Sequence, residues 1–129
     1  MTPPTAEWVS KAEGDYDNVL LLRRSRKRSR YDNICYHCQQ CAEKYMKARL
    51  NEARIQFRKT HDLEALLDLV KAIEPHWTIH KPRLKRLTEF AFTVRYPGAS
   101  ANRADAADAF VTCTEIRSLA EPVLVLNNE

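Results

Sequence analysis

The stretch Ile34-Cys35-Tyr36-His37-Cys38-Gln39-Gln40-Cys41-Ala42-Glu43-Lys44-Tyr45-Met46-Lys47 carries two patterns at helical spacing. At about 100° per residue, Ile34, Cys38, Cys41 and Tyr45 fall on one stripe with Cys35 and Ala42 beside it, as the apolar face of a helix requires. His37, Gln40, Lys44 and Lys47 fall on a second stripe, roughly opposite the first. The apolar stripe explains why the segment folds. The polar one sets an imidazole, an amide and two ammonium groups where an ordinary Glu/Lys mixture would do, and a function can begin there.

Outward from this segment the chain reads as helix on both sides. Trp8, Val9, Ala12, Tyr16, Val19 and Leu20 recur at helical spacing, which predicts a first helix over about residues 5–26 with Gly14 tolerated inside it. The second helix is predicted over about 31–52, and the polar, unpatterned run 51–59 as a loop. Leu63, Leu66, Leu67, Val70 and Ile73 form a third stripe after Thr60 and Asp62, both N-cap residue types, and Pro75 closes it. Pro82 suits the first turn of a fourth helix, whose Leu84, Leu87, Phe90, Ala91 and Val94 lead to the break at Pro97-Gly98. Asn102 opens a fifth, with Ala106, Phe110, Cys113, Ile116 and Leu119 or Ala120 on its apolar arc. Pro122 kinks or ends that helix before a short apolar tail, Val123 to Leu126.

Five amphipathic segments with no long period-2 alternation predict an all-α, up-and-down antiparallel bundle forming a single domain over 1–129. At 129 residues and 44% hydrophobic content, the chain is long enough to bury a real core. With two glycines, a hairpin-rich fold or a glycine-rich phosphate loop is disfavoured. No apolar run approaches the roughly 20 residues that cross a bilayer, and the start Met-Thr-Pro-Pro-Thr lacks the order of a secretion signal. A cytoplasmic protein without membrane partners is expected. Cys35, Cys38 and Cys41 lie along one helix and Cys113 is distant, so reduced thiols are the simpler reading. Residues spaced by three on one helix point along a line and surround a tetrahedral metal poorly, so these cysteines, with His37, read as packing residues and no metal or cofactor is expected.

The net charge of +4 is concentrated in one place. Residues 23–30 (RRSRKRSR) hold six of the 21 basic residues, Arg23, Arg24, Arg26, Lys27, Arg28 and Arg30, and no acid; the remainder carries 15 basic against 17 acidic residues. Such a run can bind phosphates of RNA or of a nucleotide. It can equally be a solvated basic end of the first helix that complements its dipole.

Three strings in order, Tyr36-His37-Cys38-Gln39-Gln40-Cys41-Ala42-Glu43-Lys44-Tyr45-Met46-Lys47-Ala48, then Thr60-His61-Asp62-Leu63, then Arg95-Tyr96-Pro97, resemble the HEPN family (higher eukaryotes and prokaryotes nucleotide-binding domain). Trp8, Ala12 and Asp15 extend the likeness to the first helix, so it spans nearly the whole chain. Cys38 and Cys41 stand where the family usually has small residues such as alanine. The resemblance implies a helical bundle, usually a homodimer, often encoded beside a minimal nucleotidyltransferase in prokaryotic toxin–antitoxin pairs. It also implies a question of enzymology. The family's metal-independent ribonucleases use an arginine followed after four to six residues by a histidine, whereas here Arg95 is followed by Tyr96-Pro97-Gly98-Ala99-Ser100-Ala101, and no histidine follows His80. Arg30 and His37 stand at a permitted separation, which we read as coincidence in an arginine-crowded segment.

The site expected from these readings is an electropositive cleft in which Lys44, Lys47, His61 and Arg95 hold a phosphate, with His37 and Gln40 on the same helix side and Tyr96 stacking or hydrogen-bonding nearby. The structural alternatives are an i,i+4 pair of Glu43 with Lys47, a cap role for His61 and Asp62, and an anchoring role for Arg95 and Tyr96 in the turn after the fourth helix. The expected function is nucleotide or RNA binding beside a nucleotidyltransferase. The alternatives are an endoribonuclease using Arg95, with Tyr96 or a histidine, and a purely structural dimer. Tyr16, Tyr36, Trp77, Phe92 and the tail are the apolar groups expected to face a second copy.

Overall fold

The computed structural model describes residues 1–126, without the side chains of 125 and 126. The described residues form five α-helices: α1 (Pro3–Arg23), α2 (Arg30–Glu52), α3 (Leu63–Val70), α4 (Lys81–Thr93) and α5 (Arg103–Leu126). A 3₁₀ turn, Pro75–His80, joins α3 to α4, and no strand occurs among the described residues. The all-α bundle expected from periodicity is the fold observed.

Central to the bundle is α2, which packs most extensively on α1, then on α5, and on its remaining side against α3 and α4. Thirteen of its residues between Ile34 and Leu50 are buried, among them Gln39, Gln40, Glu43 and Lys47. A helix buried all round is a core rod, not a surface helix. Of its polar stripe, Gln40 and Lys47 are therefore covered, while His37 and Lys44 stay half-buried. Cys38 and Cys41 face Cys113 of α5 across the core, and all four cysteines are free and buried. Burial pushes the Cys35 thiol up to about 12, and hydrogen bonding to Cys113 together with burial pushes Cys41 higher still. These are packing cysteines.

The ends of the helices follow from local chemistry. Thr2 caps α1 by accepting from the Thr5 N–H at 3.3 Å, and Pro3 and Pro4 occupy the first turn, where the missing N–H costs nothing. The helix stops at Arg23, three residues earlier than expected, so most of the basic run lies in the connection 24–29 and not on a helix. Arg54 takes a positive φ of 61° just past α2 while the Ile55 N–H reaches back to the Leu50 carbonyl at 2.9 Å. Asp62 is the cap of α3, accepting from the Glu64 and Ala65 N–H groups at 3.0 and 3.4 Å; Thr60 instead accepts from the Asp62 N–H at 3.1 Å. Ile73 falls in the tightening turn beyond α3, and the 3₁₀ segment then folds Trp77 fully into the core.

Asn102 and Asp105 form a reciprocal capping box at the start of α5, each side chain accepting from the other's N–H at 2.9 Å. Pro122 does not end α5, which continues to Leu126. Pro122 lacks the N–H that would bond the Ser118 carbonyl, but buried Leu124 and core-packed Val123 hold the last turn in place. The expected apolar tail is thus helical as far as Leu126, and residues 127–129 lie outside the described residues. Tyr16 and Trp77, expected on a dimer face, are core residues here, with Tyr16 stacked on Phe110 at 6.0 Å. Among the described residues, the large apolar side chains left exposed are Leu20, Leu21, Leu69, Ile79, Tyr96 and Val111.

Candidate functional site

Two carboxylates organise the polar side of α2. Asp15 of α1 accepts from the Nδ1–H of His37 at 2.8 Å and from the Lys44 ammonium at 2.5 Å. Burial pushes its carboxyl up, but the hydrogen bonds from His37 and Lys44 outweigh burial and hold it below the ordinary carboxylate range. Glu43, 3% exposed, accepts from Lys47 at 3.0 Å, from the Nδ1–H of His61 at 2.8 Å and from the Gln39 amide at 3.2 Å. Gln39 also donates to the His61 carbonyl at 2.7 Å, and Gln40 donates to Gln39 at 2.7 Å. Residues seven apart therefore share a carboxylate network: His37 and Lys44 on Asp15, and Lys47 on Glu43 directly with Gln40 reaching Glu43 through Gln39.

Each lysine expected to face a phosphate is thus paired with a carboxylate. Lys47 is 6% exposed, its ammonium lying 5.4 Å from the Trp8 ring and 5.9 Å from the Phe57 ring. Its position pins α1 and the α2–α3 loop to the central helix and leaves no face open to a ligand. His61 keeps an exposed side chain, with its ring 5.8 Å from Phe92, while Nδ1 is held by Glu43.

Arg95 and His37 come together. Both line an open groove of about 480 Å³, with Ser29, Asp32, Asn33 and Tyr36 at the start of α2 and Val94 just past α4. Lys44, Lys47, His61 and Tyr96 are not among its walls. The Arg95 guanidinium lies 4.8 Å from the Tyr36 ring centre and has no carboxylate partner among the described residues. Tyr36 meets the His37 ring edge-on at 5.3 Å. With Nδ1–H committed to Asp15, His37 has Nε2 left for a ligand. Asp32, the one acid in the wall, accepts from the Ala101 N–H at 2.6 Å and so ties the start of α2 to the connection before α5. Tyr96 is 70% exposed in the turn closed by Gly98 at φ 88°.

The basic run forms a second groove, of about 400 Å³, lined by Arg23, Arg24, Arg26, Arg30 and Tyr31 and by Arg103 of α5. Arg30 donates to the Tyr31 hydroxyl at 2.9 Å and to the Lys27 carbonyl at 3.0 Å, and so belongs to this groove and not to that of His37. Lys27 and Arg28 are exposed beside it.

Four participants escaped the motif reading: Asp15 as the carboxylate that orients His37, Glu43 as a hub, Tyr36 as the platform under Arg95, and Arg103. Asp15 left a signal, since it sits at an apolar-stripe position of α1 among Ala12, Tyr16 and Val19, and a carboxylate there needs partners. Arg103 left none; only the fold brings it to residues 23–30. Among the described residues no group of three or more His, Cys, Asp or Glu side chains could hold a metal ion, and no helix is long and apolar enough to cross a membrane.

The described residues thus form a helical bundle whose central helix carries an aspartate-held histidine on the same groove as an arginine that has no carboxylate partner among the described residues. The HEPN domain family model matches residues 5–123, nearly the entire chain, and the protein belongs to that family. No significant match is found among curated proteins or among solved structures.

Proposed function

We propose that this HEPN protein binds the phosphate of a nucleotide or of RNA in the groove between the start of α2 and the end of α4, as a partner of a minimal nucleotidyltransferase in a prokaryotic toxin–antitoxin-like pair. The observation that carries the binding reading is the convergence of Arg95 and His37 on one groove, with Arg95 free of any carboxylate among the described residues. Arg95 supplies a planar donor fork suited to phosphate oxygens, and Tyr36 offers it a flat support. His37 adds a directed ring nitrogen because Asp15 fixes the imidazole. Lys44 acts through Asp15, neutralising the carboxylate that would otherwise repel an anion. Membership of the family supports the nucleotide part of the reading, and the nucleotidyltransferase, the toxin–antitoxin role and the homodimer rest on the family likeness.

The test is calorimetric titration of the purified protein with ATP at low salt. Arg95→Glu should abolish the heat of binding while thermal stability stays near wild type, because Arg95 is exposed and holds no ion pair. Unchanged affinity in that variant rejects the groove as the site.

One observation favours a second reading, endoribonuclease activity: the Asp15–His37 pair has the arrangement of a carboxylate-oriented general base. Nε2 of His37 would take the proton of an RNA 2′-hydroxyl as its oxygen attacks the adjacent phosphorus, Arg95 would stabilise the added negative charge, and the 5′-oxygen would leave with a proton from water. Incubation with total RNA and a chelator decides it. Fragments that vanish in both His37→Asn and Arg95→Ala would establish cleavage, and intact RNA with the wild-type protein removes this reading.

A further inference from the structure

We propose that the groove between the α1–α2 connection and α5 holds the phosphodiester backbone of a single-stranded nucleic acid, so that the full ligand of this domain is a polynucleotide, of which ATP fills only the Arg95–His37 groove. This names the substrate class for the Arg95–His37 groove and rests on that reading for what the first groove does.

The walls of the second groove contain four arginines from residues 23–30, one from α5, Tyr31, and no acid. Several cations elsewhere are matched, Arg49 with Glu74, Arg83 with Glu115, Arg86 with Asp108 and Arg117 with Glu13, whereas this groove gathers its arginines with no acid among them. Arg24, Arg26 and Arg103 have no carboxylate partner among the described residues, and all three are exposed. The other two arginines are held in place. Arg23 lies 3.9 Å over the Phe110 ring, and Arg30 lies 4.3 Å over the Tyr31 ring while bonding its hydroxyl.

Placement strengthens the case. Arg30 and Arg103 each occupy the first residue of a helix, where the macrodipole disfavours a cation. Two helices that both begin with arginine at one groove suit an anion between them, since it offsets both the charge cluster and the two dipoles. The two grooves also share the first turns of α2. Ser29, Asp32, Asn33, Tyr36 and His37 face one, and Arg30, Tyr31 and Ile34 face the other. A helix with its side chains is about 10–12 Å across, so one mononucleotide cannot fill both flanks, whereas a flexible strand crossing α2 can. Tyr31 and Tyr36 stand on its path as faces on which bases can stack.

The experiment measures fluorescence anisotropy of labelled single strands of about 12 nucleotides, within the length one small domain covers, in RNA and DNA versions. The titrations are repeated at several salt concentrations, with ATP run in parallel. The triple variant Arg24→Glu, Arg26→Glu, Arg103→Glu changes only exposed, unpaired groups, and its melting temperature checks the fold. The expected result is at least a tenfold loss of strand affinity and a salt slope shallower by about 0.7 for each lost phosphate contact, with ATP affinity within twofold of wild type. RNA bound more tightly than DNA would identify RNA as the source of the backbone, and equal binding would place recognition in the phosphates shared by both. Strand affinity and salt slope unchanged in the folded variant would overturn the proposal. So would binding to vesicles containing anionic lipid that the triple variant abolishes while strand binding persists. Failure of the first groove reads differently: Arg95→Glu would leave ATP binding untouched while the strand still responds to the triple variant.

Discussion

Asp15 stands where the periodicity of α1 asks for an apolar residue, and it is tolerated because His37 and Lys44 take both of its oxygens. Asp15→Asn removes the charge that Lys44 neutralises and loosens the imidazole. We expect a loss of about 1–3 kcal/mol in denaturant unfolding at neutral pH, the cost of leaving the half-buried Lys44 ammonium without its carboxylate. The pH dependence follows from the same contacts. The folded-state value of Asp15 lies below the unfolded one, about 3.9, so its stabilisation is complete above that value and drains away as pH falls through the lower folded value. Glu13 behaves alike, held low chiefly by its hydrogen bonds from Arg117. Wild-type stability should therefore drop below about pH 4, and the Asp15→Asn variant should start lower and drop less. Parallel acid curves for the two proteins would count against this role for Asp15. The sequence made His37 and Arg95 visible as chemically capable residues, and the Glu43–Lys47 pair was legible as an i,i+4 spacing within one helix; the pairing of Lys44 with Asp15 was hidden because the two lie on different helices, whose relative rotation periodicity does not determine.

At the scale of the element, α1 and α5 carry testable features of their own. Gly14 lies mid-helix on an exposed position, and a Cβ built there would meet nothing within 4 Å. Gly14→Ala should raise stability by about 0.5–1 kcal/mol through the backbone entropy of the unfolded chain, read as a shift of the urea midpoint; a destabilised variant would show that this face of α1 is occupied. Asn102→Ala removes half of a reciprocal cap and should cost about 1 kcal/mol. Helix number, order and apolar stripes were legible because each stripe is internal to its own element. Ends were less so: α1 closes before Ser25 because no apolar residue after Leu22 continues its stripe, and α5 passes Pro122 because tertiary burial of Leu124 outweighs one missing hydrogen bond. The 3₁₀ turn with Trp77 has no period long enough to read, so the indole looked available to a partner when it is part of the core.

For the whole molecule, the central position of α2 joins the packing to the chemistry. The rod that holds the thiol cluster also presents His37 at its exposed first turns, so the proposed site is carried on the most buried element of the fold. All four thiols should resist a thiol-specific reagent in the native state and react together on unfolding; rapid labelling of the native protein would mean that the α2–α5 interface opens. The most direct measurement of the central claim is a nitrogen-detected NMR titration of the imidazoles with ATP. The account predicts that Nε2 of His37 shifts progressively and saturates, that the His61 ring stays put, and that Arg95→Glu erases the effect. A saturable shift at His61 with His37 unmoved would contradict it.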